Sequence, residues 1–207
     1  MDQRSPEWFA ERLGKATASR IADVMAKTKT GYGASWANYM AELVCERLTG
    51  VKVEGYINAA MQWGTDQEPS AKAAYSFMTD RAVEDCGFIP HPTIAEAGAS
   101  PDGLIGEDGL LEVKCPNSAA HIETLLTGTI DGKYILQMQF QMACAGRVWC
   151  DFVSFDPRLP PEMQLWIQRV ERDGDKIAEI EGEVQKFLEE IAAKVAALKT
   201  RYMRDAA

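Results

Sequence analysis

Three features of the sequence predict an α/β domain. A length of 207 residues suits one sizeable core, so no second domain is assigned. Glycines at 103, 106 and 109 separate two short apolar runs, the punctuation of a β-hairpin, and further strand-like runs lie at 83–90, 148–155 and 164–170. Around these lie stretches with helical periodicity, the last a long amphipathic segment over 174–203.

In chain order, Ser5 and Pro6 supply an N-cap and a first helical position, which predicts a short helix over 6–13 ending at Gly14. Trp8 and Arg12 are four apart and share one face of it. Thr17 and Ser19 are expected to cap a second helix over 18–27. An arginine, small hydroxyls and free helix amides then meet in one corner, the ingredients of an anion pocket. Simple capping beside a surface arginine accounts for the same residues. Residues 28–34 form a glycine-containing loop that presents Lys29, and Ser35 opens an amphipathic helix to Thr49 that Gly50 closes. Asn58 begins another helical stretch, where Gly64 and Pro69 predict a kink or a restart. Glu68 at that irregularity can point into a cleft or cap the next turn.

Residues 83–90 are expected to form a first strand. Asn117 or Ser118 caps a helix to about Leu126, and 132–145 forms another. In that second helix Gln137 and Gln139 fall within Q-M-Q-F-Q-M, a run too polar for full burial. Two strands return to the sheet, and the final helix docks through Ile177, Ile180, Val184, Phe187, Leu188 and Ile191.

The chemistry concentrates between Ser100 and Pro116, S-P-D-G-L-I-G-E-D-G-L-L-E-V-K-C-P. Because side chains alternate along a strand, Glu112 and Lys114 project to one face while Val113 points into the core, and a hairpin partner brings Asp102 beside them. Two carboxylates, a carbonyl such as that of Val113, water and phosphate oxygens make the hard oxygen shell that Mg²⁺ or Mn²⁺ prefers. Lys114 can hold or deprotonate a water for in-line attack on a phosphodiester. This is the PD-(D/E)xK pattern of metal-dependent nucleases. The same residues also fit a turn followed by an amphipathic strand whose Glu and Lys face water.

Several classes are disfavoured. The five cysteines (Cys45, Cys86, Cys115, Cys144, Cys150) are scattered without C-x-x-C, which argues against zinc, an iron–sulfur cluster or a disulfide framework and predicts reduced core residues. Two histidines are too few for a His-based metal centre. No apolar run of membrane length and no signal-peptide core is present, which predicts a cytoplasmic protein with no membrane partner. A net charge of −9 is awkward for a DNA enzyme, but it is uneven. Residues 12–29 carry a local +4 and residues 171–190 a local −5, so a basic working face and an acidic back are compatible with phosphate binding. Solvated helix faces explain both runs equally.

Beyond these patterns, the chain resembles the lambda exonuclease group, the YqaJ-like phage recombination exonucleases. The collinear blocks are E-W-F-A-E-R-L-G-K-A-T-A-S, W-G-T-D-Q-E-P, S-P-D-G, L-E-V-K-C-P, Q-M-Q-F-Q and F-D-P-R. The resemblance implies a restriction-endonuclease-like PD-(D/E)xK core, a mixed central β-sheet flanked by helices. It implies Mg²⁺-dependent 5′-to-3′ digestion of one strand of duplex DNA, with two ions per active site and Mn²⁺ as a substitute. Asp102, Glu112 and the Val113 carbonyl then resemble the metal ligands, Lys114 the water-activating amine and Glu68 a third acid. Gln139 and Gln137 would orient the carboxylates and water. Arg12, Ser19 and Ser100, with Trp8 beside them, resemble the pocket for the 5′-terminal phosphate; Lys29 resembles a basic loop residue reaching a DNA groove and Met61 an apolar wedge at the duplex end. A homotrimeric ring and a single-strand annealing partner in a bacterial host follow from the same resemblance. The competing expectations are an endonuclease or repair nuclease on the same motif, and a catalytically silent DNA-binding module.

Overall fold

The computed structural model describes residues 3–29, 31–53 and 59–203. Helix α1 (Pro6–Arg12) begins as its sequence dictates, with the Ser5 hydroxyl accepting from the Trp8 amide. It is followed by β1 (Ala16–Thr17), a 3-10 turn (Ala18–Arg20) and the single turn α2 (Ile21–Val24). The helix expected over 18–27 is therefore broken into short pieces. The Thr17 hydroxyl caps nothing and its amide donates to the Tyr39 hydroxyl at 3.0 Å, because residues 16–17 are drawn into a sheet. Lys29 sits at the exposed turn of a two-stranded ribbon, β2 (Lys27–Thr28) and β3 (Gly31–Tyr32), where a plain loop was expected.

Helix α3 (Ala34–Thr49) ends at Gly50, whose φ of 69° is the left-handed cap that glycine adopts without steric cost. Helix α4 (Ala59–Thr79) is one continuous helix through Pro69, so of the kink or restart expected there the restart does not occur; the predicted start at Asn58 lies outside the described residues. An internal proline costs about 3 kcal/mol. Pro69 lies on the exposed side, and the opposite side of the helix is held to the sheet by Ala71 and Tyr75, both fully buried.

Next come β4 (Ile89–Pro90), β5 (Ala97–Ala99), β6 (Gly103–Ile105), β7 (Gly109–Lys114), α5 (Ser118–Thr127), α6 (Gly132–Ala145), β8 (Trp149–Phe155), β9 (Leu165–Glu171) and α7 (Gly174–Tyr202). The strand expected over 83–90 reduces to β4 and an isolated bridge between Glu84 and Leu104. Strand β5, Ala-Gly-Ala, carries none of the usual β-formers. Its small residues instead permit close approach, since a Cβ on Gly98 would meet the Phe88 ring at 2.2 Å.

The four-stranded sheet has the order β6-β7-β8-β9, with β7 and β8 parallel and both outer pairs antiparallel. A three-stranded sheet, β1-β5-β4, stands apart from it. On one face of the larger sheet, Leu111, Val113, Val153 and Phe155 pack with Ala71 and Tyr75 of α4. On the other, Leu110, Cys150 and Phe152 pack with Met138 and Met142 of α6. Strand β7 is thus covered on both sides, as a sheet interior requires. A third cluster joins α3, α6 and α7; Ile180, Val184, Phe187, Leu188 and Ile191 of the predicted α7 stripe lie in it, and Ile177 is buried as well. Helix α6 is sandwiched between layers. Its glutamines at 137, 139 and 141 are buried rather than wet, correcting the expectation drawn from their polarity. Cysteines 115, 144 and 150 are buried as expected, whereas Cys45 is exposed.

Candidate active site

Asp102 leaves the chain just before β6 and is tied twice to β7: its amide donates to the Leu111 carbonyl at 3.1 Å, and its carboxylate accepts from the Val113 amide at 2.7 Å. Strand β6 pairs no further than Gly103 with Leu111. The N–H and C=O of Val113 leave the strand on the same edge, so the carbonyl faces the space that β6 does not fill. Glu112 points the other way, toward α6, and is 1% exposed. Its Oε1 accepts from the Lys114 ammonium and from the Gln137 amide, the latter at 2.7 Å, and its Oε2 accepts from the Gln141 amide at 2.7 Å.

A cleft of about 470 Å³ opens over these groups, lined by Asp102, Val113, Lys114 and Glu68 among others. Glu68 is held by Arg4 at 3.1 Å and by Lys72, one turn on, at 3.0 Å. Burial first, and then the Glu112 carboxylate, hold the pKa of Asp102 well above the usual carboxylate range. Burial alone would lower that of Lys114, but Glu112 and Asp102 outweigh it and the ammonium is stabilised. Cys115 lines the same cleft, yet burial, followed by the charge of Asp102, pushes its thiol up to about 12, which removes it as a nucleophile.

A second cleft, of about 570 Å³, adjoins the first through Arg4, Met61 and Thr65, which line both. Trp8, Arg12, Ser19, Lys15 and Lys52 line it. The Ser100 hydroxyl accepts from Trp8 Nε1 at 2.9 Å and from Arg12 at 3.1 Å, and the Arg12 guanidinium stacks 4.1 Å above the Trp8 ring. Burial is the main influence on Arg12 and draws its pKa down. An anion would relieve the same desolvation. Lys15 lies over the Phe88 ring and Lys52 over the Phe9 ring. Arg20 is spent on Asp23 and Glu42, and Lys27 on Glu183, so the local positive charge read from the sequence is only partly available.

Of the sequence-predicted residues, the structure gathers Asp102, Val113, Lys114 and Glu68 on one cleft, Trp8, Arg12 and Ser19 on the next with Ser100 bonded to Trp8 and Arg12, and the exposed Met61 at the junction. Glu112 and Gln137 stand behind the first cleft. Gln139 does not join them. Its amide donates to the Glu171 carbonyl at 2.8 Å and its oxygen accepts from the Asp173 amide at 2.9 Å, on the opposite side of α6. Residues two apart on a helix diverge by about 200°, whereas 137 and 141, four apart, share a face. That spacing was the available signal for Gln141, which the sequence reading missed. The anion corner also differs from expectation, because the single turn α2 offers no developed helix N-terminus.

Among the described residues no three His, Cys, Asp or Glu groups stand close enough as placed to hold a metal ion. The donor chemistry nevertheless suits Mg²⁺. The cleft offers carboxylate and carbonyl oxygens, and a cation there would offset the burial and the repulsion from Glu112 that raise the Asp102 pKa. Neither histidine lines the cleft: His121 is bonded to Ser154 and the Met163 carbonyl, and His91 to Glu181.

Residues 7–148 match the YqaJ-like viral recombinase domain. The crystal structure of LHK-Exo in complex with dAMP is 57% identical, with a TM-score of 0.90 over 95% of this chain and 97% of that one. A second structure, the alkaline exonuclease LHK-Exo from Laribacter hongkongensis, is 58% identical with a TM-score of 0.89, again over 95% and 97%. A phage-related exonuclease from Haemophilus somnus 129PT shares the fold at 16% identity and a TM-score of 0.63, over 87% of this chain and 96% of that one. No curated protein matches. With a core of the PD-(D/E)xK exonuclease type and a domain match across most of its length, the chain belongs to the YqaJ-like viral recombinase family, as an exonuclease-like member.

Proposed function

We propose that the protein is a metal-dependent exonuclease that digests one strand of duplex DNA from its 5′-phosphorylated end, releasing 5′-mononucleotides and leaving a 3′ overhang for recombination by strand annealing. The observation that carries this reading is the continuity of the two clefts: Arg12 and Ser19 in one are joined, through Arg4, Met61 and Thr65, to Asp102, Val113 and Lys114 in the other. An internal cutter needs no cationic pocket for a strand terminus. The dAMP in complex with one 57% identical relative is a mononucleotide, which accords with such a product.

Asp102, the Val113 carbonyl, Glu112 and Glu68 would hold Mg²⁺, or Mn²⁺ in its place, as one or two ions; once bound, the metal supplies charge neutralisation at the phosphate and a more acidic water. Arg12, with Ser100 and Ser19, holds the terminal phosphate. Lys114, kept protonated by Glu112, holds the attacking water and offsets charge that builds on the scissile phosphate. Met61, exposed at the junction, would separate the end base pair, and Lys29 on its ribbon would reach a DNA groove. A three-subunit ring around the DNA and a single-strand annealing protein on the emerging overhang complete the proposal.

The test is digestion of linear duplex carrying a 5′ phosphate at one labelled end, against a closed circle, with and without Mg²⁺. Loss of label as mononucleotide, only with metal and only from the linear form, is expected. Rapid linearisation of the circle would identify an endonuclease instead. Mass measurement in solution checks the ring.

A further inference from the structure

We propose that Gln141 is a positioning residue: with Gln137 it forms a two-amide clamp from helix α6 that fixes the Glu112 carboxylate for metal binding. This rests on the reading of Glu112 as a metal ligand. Glu112 lies on a strand face packed with Leu110, Cys150, Phe152, Met138 and Met142, and Lys114 on the same face reaches only its Oε1. Nothing apolar there would hold a carboxylate in one rotamer. The two glutamines do so from opposite sides, Gln137 on Oε1 and Gln141 on Oε2, each at 2.7 Å. An ionised carboxylate only accepts hydrogen bonds, so both amides must present nitrogen to it.

A second observation separates positioning from packing. Gln141 is 0% exposed, and its own Oε1 finds no hydrogen-bond partner among the described residues. An unpaired buried acceptor costs stability, and Met or Leu would fill the same volume without it. What glutamine uniquely supplies here is the N–H aimed at Oε2. Gln139 makes the contrast within one helix, since both ends of its amide are bonded to backbone beyond the site.

The test uses Mn²⁺ as the probe, with the full chain and no DNA, read by loss of the free-ion electron paramagnetic resonance signal. Gln141→Met is expected to weaken Mn²⁺ binding about tenfold, and to lower kcat on phosphorylated duplex by a similar factor while KM for DNA stays within about twofold. Gln139→Met should leave Mn²⁺ affinity unchanged. A folded Gln141→Met with wild-type Mn²⁺ affinity and kcat overturns the clamp, as does a rise in KM alone. Should the variant fail to fold, the wild type decides by nuclear magnetic resonance: Mg²⁺ should shift the Gln141 side-chain amide together with the Val113 backbone amide, and a shift of Val113 without Gln141 overturns it. A wild type that binds Mn²⁺ but cuts no DNA refutes the nuclease reading and leaves the clamp test intact. One that binds no Mn²⁺ overturns both.

Discussion

The two clefts share a wall and are built from opposite materials. Around the cleft of Asp102 and Lys114 the ionisable groups satisfy one another: Lys114 and two glutamines on Glu112, the Val113 amide on Asp102, Arg4 and Lys72 on Glu68. In the neighbouring cleft Arg12 is bonded to a neutral hydroxyl and stacked on an indole, with Lys15 and Lys52 over aromatic rings. Rings and hydroxyls orient a cation without cancelling its charge. The first cleft is thus organised to place charges against one another, whereas the second, although Glu42 and Glu46 also line it, sets Arg12, Lys15 and Lys52 against rings and a hydroxyl.

That contrast is broken or sharpened by substitution. The largest effect should come from Lys114→Ala, which is expected to lower cleavage about 10³-fold while fluorescence anisotropy shows duplex binding retained. Wild-type turnover would remove Lys114 from the chemistry. Arg12→Ala should act on recognition instead, reducing the rate on 5′-phosphorylated ends about 10- to 100-fold and leaving 5′-hydroxyl ends little changed. If both ends are still told apart as in wild type, the second cleft is not the terminal-phosphate pocket. Ser100→Ala removes a neutral acceptor shared by Trp8 and Arg12, and a loss of about threefold to tenfold on phosphorylated ends is expected from competition between the two substrates. Smallest in activity is Gln139→Met, which should cost about 2 kcal/mol in urea unfolding through its two lost backbone bonds and leave turnover per folded molecule unchanged.

Much of this was legible because it is local. The Ser5 and Asn117 caps, the Gly50 terminator, the hairpin around Gly106 and the period of the last helix are each written within a few residues, and they appear where expected. The motif from Asp102 to Lys114 was legible for the same reason, since strand alternation alone decides which side chains share a face. What escaped is tertiary. Strand β5 is recruited by pairing with the distant β1 and by the Phe88 ring rather than by propensity, and Pro69 is tolerated because α4 is clamped to a sheet formed later in the chain. The polarity of α6 misled because its glutamines find buried partners on Glu112 and on the chain around Glu171, neither visible from the helix itself.

Ser100 is bonded to Arg12 of one cleft and Asp102 lines the other, with Pro101 between them and its carbonyl bonded to Gln3 at 2.7 Å. Two residues of backbone span at most about 7 Å. For a strand seated as proposed, this short covalent segment works as a gauge: the gap from the gripped tip to the severed bond is set by chain length and a locked ring. Lengthening the segment by one residue should change the size of the fragment removed at each stroke before it changes the chemistry that removes it.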